Sequence, residues 1–234
     1  MEKTVLILGY GACGREIAGT LVQRGAKVIV GQRSKPANLP SEIEYIQIDI
    51  LKSQNFVDAI KSLQSGLTEI VVSLGFAYES KVWARVWPEA MNNIIHVGEV
   101  TGVRVVFVDN LYMFGPQSAP ISEDLPLYSG TALVKPKVRA DITKIWMTAC
   151  SEHRVKFVAL RAPDFYGPAC EQSHLGQAVF PNMISGKAAQ FLVPLDVPHD
   201  YAYTPDIGRA VVELIYAGDD VCIWASLAHS MCAN

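Results

Sequence analysis

The chain has 234 residues, half of them hydrophobic and 18% charged, enough for one large α/β domain with a small appendage and too apolar for a disordered chain. A net charge of −3 gives no electrostatic pull toward nucleic acid or an anionic membrane surface, so neither is an expected partner. The five cysteines (Cys13, Cys150, Cys170, Cys222 and Cys232) are scattered and form no C-x-x-C, which is the pattern of reduced thiols in a cytoplasmic protein.

The predicted elements begin with the apolar run Val5 to Leu8, too short for the core of a signal peptide, and no later run reaches transmembrane length. It breaks into the turn Gly9-Tyr10-Gly11-Ala12-Cys13-Gly14. A helical pattern follows, with Ile17, Ala18, Leu21 and Val22 on one face and Gly25 at its end, and a second apolar run starts at Val28. Strand, glycine turn, helix and strand form the βαβ context that makes G-x-G-x-x-G a dinucleotide signal. Gly9 permits the tight turn, Gly11 lets backbone approach a pyrophosphate, and Gly14 lets the helix lie close to the strand. The helix N-terminus adds free N–H groups and a positive dipole end for phosphate. The plainer alternative is a buried βαβ unit with an idle turn. A helix start also favours a thiolate at Cys13, although a small side chain tolerated in a crowded turn is the simpler account.

Ile43 to Ile48 alternates like a short strand that Asp49 ends, and Phe56, Ile60 and Leu63 mark a helix up to Gly66. Glu69 to Leu74 reads as a buried strand closing at Gly75. A helix is predicted from about Trp87 to Thr101, with Pro88 in its first turn, where a missing N–H costs little, and Gly102 at its end. Val103 to Val108 is the next strand, apolar apart from Arg104. Asp109 to Leu133 is loop-rich, and a loop of that length in a compact domain is more often functional than idle. Pro136 opens a helix to about His153, with Val138, Ile142, Ile145, Trp146 and Ala149 inward, and Val155 to Leu160 forms a sixth strand. Beyond Arg161 the chain turns irregular and polar-aromatic, except for a helix capped by Thr204, with Pro205 first, that stops at Gly218. Strands that are apolar on both faces and alternate with helices predict a doubly wound parallel sheet of the Rossmann type. We expect residues 1–165 to form the dinucleotide-binding domain. Residues 166–234 should form a small substrate-side lobe interleaved with it.

These stretches together resemble the extended short-chain dehydrogenases/reductases, in the NAD-dependent epimerase/dehydratase family. The resemblance runs to about Gly218. It is carried by the glycine turn, Ile48-Asp49-Ile50, Val72-Ser73-Leu74-Gly75, Val108 to Pro116, Leu160 to Pro168, and Tyr201 to Asp206. It implies a dinucleotide held by Gly9, Tyr10, Gly11, Ala12, Cys13 and Gly14, with Gln32, Arg33 and Ser34 at the end of the second strand. Asp49, Ile50, Ser73, Leu74 and Gly75 would lie along the cofactor, and Arg161, Ala162 and Pro163 beside the nicotinamide. It also implies a small polar substrate, with a nucleotide sugar as one candidate. The helices Trp87–Thr101 and Pro136–His153 resemble those of a family dimer interface, so a homodimer is expected.

The departures are informative. The superfamily relies on a Ser that polarises a carbonyl or hydroxyl and a Tyr acid/base whose pKa is lowered by a Lys four residues later. Here Asn110 falls at the Ser position. With Lys137 and Asp141 aligned to the usual Lys and following acid, Leu133 falls at the Tyr position. None of the nine tyrosines has a lysine four residues on. Candidate substitutes are the Asn110 amide and the phenols of Tyr112 and Tyr128, with Lys135 or Lys137 nearby. The alternatives are a strand-capping Asn, core or rim tyrosines and surface lysines. His174 and His199 fall in the substrate region, where a structural role competes with acid/base chemistry, and no metal-ligand spacing links them.

The second strand ends Val30-Gly31-Gln32-Arg33-Ser34-Lys35, with no acid to take ribose hydroxyls and two cations suited to a 2′-phosphate. NADP is therefore expected over NAD, although NAD stays open. A phenol near its reference pKa of about 10 is a poor base at neutral pH, so dehydrogenase turnover should be weak. An NADP-binding sensor or regulatory protein without turnover remains the rival to an oxidoreductase. Residues Val221 to Cys232 resemble nothing in the family, yet back-translation with a one-base shift reads AYGQVWHIPC, which does. The expectation is a frameshifted, incomplete C-terminus, which the gene's codons can check.

Overall fold

The computed structural model describes residues 3–63, 66–191, 196 and 198–218, and the backbone of Trp224–Ser226. The elements run β1 (Thr4–Leu8), α1 (Ala12–Gln23), β2 (Lys27–Gln32), β3 (Glu44–Gln47), α2 (Ser53–Leu63), β4 (Glu69–Val72), α3 (Ser80–Thr101) and β5 (Arg104–Asp109). After a 3-10 turn at Tyr112–Phe114 come α4 (Val134–Ser151), β6 (Phe157–Arg161), β7 (Asp164–Tyr166), α5 (Phe180–Ile184), β8 (Tyr201–Tyr203), α6 (Thr204–Tyr216) and β9 (Trp224–Ser226). The main sheet is parallel with order β3-β2-β1-β4-β5-β6-β9. This is the doubly wound Rossmann-type α/β fold that the apolar strands imply. Every residue of β4, β5 and β6 is buried, as strands covered on both faces must be.

One face packs on α2, α3 and α4 through Phe56, Ile60, Trp87, Ile94, Ile142 and Trp146. The other packs on α1 and α6 through Ile17, Leu21, Ile207, Val211 and Ile215. Two charged residues enter this interior as a cross-strand pair. Glu69 on β4 stands opposite Arg104 on β5, with Lys3 bonded to Glu69 at 2.9 Å. Arg104 also donates to the Leu214 carbonyl at 3.0 Å, satisfying an acceptor in the last turn of α6.

Several expected boundaries move. Helix α3 starts at Ser80, so Pro88 lies in its interior rather than its first turn. The extra turns bury Trp83, Val86 and Trp87. Burying large apolar side chains at about 1.5–3 kcal/mol each offsets an interior proline costing roughly 3 kcal/mol. Thr204 is the first residue of α6 and Tyr203 its cap; the Thr204 hydroxyl makes no capping bond and has no hydrogen-bond partner among the described residues. Helix α4 starts two residues before Pro136, which still lies in the first turn, where no N–H is required. The two-stranded parallel pair β7–β8 was not expected, because three-residue strands carry no readable period.

The C-terminal stretch singled out by its sequence lies outside the described residues, except for the β9 backbone, which pairs with β6 from Ala159↔Trp224 to Arg161↔Ser226. Among the described residues no helix is long and apolar enough to cross a membrane.

Candidate dinucleotide and substrate site

The sheet order reverses between β1 and β4, which opens a crevice at the C-terminal ends of those strands. The glycine turn follows β1 there, and Ser73-Leu74-Gly75 follows β4. Gly9 has φ +96° and lies so close to Ser73 that an added Cβ would sit 2.5 Å from its carbonyl oxygen. A Cβ on Gly14 would strike the Gly9 carbonyl, which holds α1 against the turn. Gly11, the N-cap of α1, has open space where a Cβ would point. The turn is thus closed on its inner side and clear where a phosphate would approach. Ala12 and Cys13 open the helix, and burial pushes the Cys13 thiol up to about 12, so the crowded-turn account of Cys13 fits.

The end of β2 is fixed by Gln32. Its side chain accepts from the Tyr10 N–H at 3.2 Å and donates to the Ser34 carbonyl at 2.8 Å, tying the turn to the strand end. Next to it an open recess of about 340 Å³ is lined by Arg33, Gln47, Asp49, Lys52 and Asn55. Gln47 donates to the Arg33 carbonyl at 3.0 Å, and one Asp49 oxygen accepts from the Leu51 N–H at 3.2 Å. Ile50 is buried below, its carbonyl bonded to Asn93. Lys52 and Asn55 belong to the helix start, and the sequence reading missed them. A cation just before a helix that faces the end of β2 was the available signal.

At the end of β5 the Asn110 side-chain oxygen accepts from the Tyr112 N–H at 3.0 Å, holding the 3-10 turn. The Tyr112 hydroxyl shares a hydrogen bond of 2.8 Å with Tyr78, another residue the sequence reading did not single out. Burial, then that bond, then the charge of Asp164 push the Tyr112 phenol above its ordinary pKa, while Arg139 pulls the other way. Lys135 lies over the Tyr78 ring at 2.8 Å from its centroid and donates to the Tyr78 carbonyl at 3.1 Å. Tyr128 is wedged between Gly115 and Gly130, and its hydroxyl accepts from the Leu133 N–H at 3.3 Å. Leu133 is 40% exposed at the cap of α4, and Lys137 pairs with Asp141 one turn along that helix at 2.7 Å. The fold thus brings Asn110, Tyr112, Tyr78 and Lys135 to one edge, with Lys137 engaged by its own carboxylate.

Beneath this edge lies a buried charge cluster. Asp109, the last residue of β5, pairs with Arg139 of α4 and, at 3.8 Å, with Arg161 at the end of β6. The Arg139 guanidinium stacks 4.3 Å from the Trp87 centroid, and Arg161 lies 5.3 Å from that of Phe114. Burial, the largest cause, lowers the Arg161 pKa, opposed by the charge of Asp109. Ala162 donates to the Asp109 carbonyl at 3.2 Å, so the chain carrying Pro163 leaves the sheet bonded to the end of β5. Just beyond, on β7, Asp164 bonds the His199 ring nitrogen Nε2 at 2.9 Å. The Tyr201 ring packs 4.7 Å from His199, and its hydroxyl bonds His174 Nδ1 at 3.3 Å. Among the described residues no group of three His, Cys, Asp or Glu is placed to hold a metal ion.

The family model described as NAD dependent epimerase/dehydratase family matches residues 5–222. No curated protein matches the sequence. Among solved structures, UDP-glucose 4-epimerase of Thermus thermophilus in complex with NAD is similar at 19% identity and a TM-score of 0.77, over 95% of this chain and 76% of that one. The dTDP-glucose 4,6-dehydratase of Bacillus anthracis in complex with NAD gives 16% identity and 0.79, over 96% and 75%. The Bordetella bronchiseptica enzyme WbmH in complex with NAD+ gives 18% and 0.75, over 97% and 75%.

Proposed function

The chain belongs to the NAD-dependent epimerase/dehydratase family, and on that premise we propose that it is a nicotinamide-dinucleotide-dependent oxidoreductase that prefers NADP and acts on a small polar substrate of the nucleotide-sugar class. The observation that carries the cofactor choice is the recess at the end of β2, where Arg33 and Lys52 face a space with Asp49 as its single carboxylate. The residues suit the group. Gly11 leaves the helix N-terminus clear for a pyrophosphate, Gln32 holds the ribose-side strand end, and Arg33 and Lys52 can pair with a 2′-phosphate. Ser73 and Leu74 lie against Gly9 of the glycine turn, and Ala162 is tied to the end of β5, which supports a dinucleotide running between these strand ends. The bound nicotinamide supplies a hydride acceptor or donor. The chain's own part is to bind it, orient a substrate oxygen and handle a proton. That structurally similar proteins include a UDP-glucose 4-epimerase and a dTDP-glucose 4,6-dehydratase supports the substrate class.

Calorimetric titration tests the cofactor choice. A charge-assisted hydrogen bond is worth about 1.5–3 kcal/mol, so Arg33→Ala should weaken NADP binding about 10- to 100-fold while sparing NAD. Equal affinities for NAD and NADP in the parent protein would refute the preference.

A second reading, an NADP-binding sensor without turnover, is favoured by Leu133 at the tyrosine position and by the occupied oxygens of Asn110 and Tyr128. Cofactor oxidation and reduction with a panel of sugar nucleotides, aldehydes and ketones separates the two. Turnover lost in Tyr112→Phe or Tyr128→Phe would assign the acid/base role to that tyrosine. The unoxidised thiols of Cys13 and Cys170 support a cytoplasmic setting. Exposed Val100 on α3 and Met147 on α4 support a homodimer, which a monomeric mass in sedimentation would exclude.

A further inference from the structure

We infer that His199, oriented by Asp164, is the group that exchanges a proton with the substrate. The inference deepens the oxidoreductase reading above and rests on it. The usual proton route has no acceptor here: the tyrosine position is Leu133, and an Asn110 amide does not exchange a proton at neutral pH. Among the phenols at the site, Tyr128 is wedged between Gly115 and Gly130, and the half-buried Tyr112 holds its proton more tightly than a free phenol. An imidazole is the side chain suited to proton exchange between pH 5 and 8.

The location follows from backbone the structure fixes. The Ala162 N–H holds the segment leaving β6 against the end of β5, two residues before Asp164. Asp164 thus starts β7 two residues beyond a bond to the β5 terminus, the same terminus from which Asn110 and Tyr112 follow. The pairing of β7 with β8 sets Asp164 opposite Tyr201 and thereby delivers His199, two residues earlier, to the carboxylate. Asp164 engages Nε2 at 2.9 Å, and among the described residues Nδ1 has no hydrogen-bond partner. A neutral imidazole that gives its Nε2–H to a carboxylate keeps a basic lone pair on Nδ1. The Tyr201 ring, itself held by His174, packs beside the imidazole, so Asp164 and Tyr201 act as positioning residues. The two side chains of the pair are 35% and 42% exposed, open to a ligand yet anchored.

The step balances as follows. A substrate O–H bond breaks and an N–H bond forms at His199 Nδ1. The oxidised nicotinamide dinucleotide, when bound, would accept hydride from the adjacent carbon, and the electron pair left on oxygen would become the second bond of a carbonyl. The reverse direction returns the same proton. Among the described residues, the charged and titratable groups beside the imidazole include Asp164 from β7, Asp200 next in the chain and Tyr201 from β8, with His174 behind Tyr201.

The test uses the full chain saturated with NADP, with UDP-glucose as the probe. Calorimetry first asks whether UDP-glucose binds; absence of binding sinks the nucleotide-sugar reading and this inference with it. Labelling by diethyl pyrocarbonate, read by peptide mass, then reports each histidine. UDP-glucose should slow labelling of His199 severalfold and leave the exposed His153 unchanged. In turnover, His199→Gln should lower kcat about 10²- to 10⁴-fold with KM little changed. Asp164→Asn should lower kcat less and alter the pH–rate profile. Three results overturn the inference while leaving the binding reading intact: binding without protection of His199, protection without any turnover, or His199→Gln that turns over like the parent protein.

Discussion

Replacing Asp109 by asparagine should be among the most destabilising single changes in this chain. Asp109, Arg139 and Arg161 are only 1%, 2% and 1% exposed, so solvent does little to compensate their charges. Together they carry one negative and two positive charges. Asparagine leaves two buried guanidinium groups without their shared carboxylate. Among the described residues, Arg139 already has Nε and Nη1 without hydrogen-bond partners and leans on the Trp87 ring. Removing one partner of a buried ion pair costs about 3–5 kcal/mol. For a chain of this length each kcal/mol lowers Tm by roughly 2–4 °C, so the expected loss is about 6–20 °C. The charge of Glu123, which also reaches Arg161, favours the lower end. Arg139→Met is the informative control. It removes one guanidinium, leaves Asp109 with Arg161, and fills an aromatic-lined space with an adaptable apolar side chain. Asp109 keeps Arg161 at 3.8 Å and the Asn110 N–H at 2.7 Å, so this variant should cost less than the about 3–5 kcal/mol of a charge left without a partner. Urea unfolding followed by the fluorescence of the nearby Trp83, Trp87 and Trp146, checked by circular dichroism, gives both numbers. A loss under about 1 kcal/mol for Asp109→Asn, or a larger loss for Arg139→Met than for Asp109→Asn, would refute the charge argument.

The glycine turn separates binding from folding. Gly11→Ala points a methyl into open space at the helix start and should weaken NADP binding at least about tenfold with stability unchanged. Gly14→Ala drives its Cβ into the Gly9 carbonyl and should lose both; a Gly11→Ala protein that binds NADP like the parent would count against the turn as the phosphate site. Cys13 provides a pH test. Its thiol pKa is raised from 9.0 to about 12, so the unfolded chain releases that proton first as pH climbs. The stabilisation is therefore complete below about pH 9 and is lost on the way to about pH 12. Cys13→Ala should flatten part of that alkaline decline in urea midpoints, and an unchanged slope would show that the thiol does not contribute. At pH 8, iodoacetamide should label Cys13 only after unfolding.

What was legible in the sequence follows from where one side chain reports its own environment. Val105 to Val108 and Phe157 to Leu160 are buried on both faces, so their apolar runs announce a parallel sheet without reference to any neighbour. The glycine turn is legible for the same local reason: Gly9 and Gly14 are required by backbone contacts a few residues away. Asn110 was legible as a choice, and the short bond to the Tyr112 N–H is the capping alternative it offered. The start of α3 was misread because Pro88 is a strong local stop, whereas the burial of Trp83 and Trp87 that overrides it depends on packing against Phe107 and Arg139 from other elements.

The substrate side was least legible, and the reason is geometric. Asp164 and His199 are 35 positions apart, and they meet only because β7 and β8 pair in the register that sets Asp164 opposite Tyr201. A shift of one residue would turn the Asp164 side chain to the opposite face of that pair and separate it from His199. Neither strand exceeds three residues, so no periodicity in the sequence fixes that register. It is instead set from outside, by Ala162 bonded to Asp109 at one end and by α6 beginning directly after Tyr203 at the other. The proton-handling pair therefore depends on the same β5 terminus whose Asp109 holds the buried arginines. Asp109→Asn, which leaves the main-chain carbonyl in place, should disturb His199 only through loss of stability. Carbethoxylation of His199 in that variant at low temperature should still be slowed by UDP-glucose; if protection vanishes while the protein remains folded, the carboxylate itself, and not the backbone bond, positions the pair.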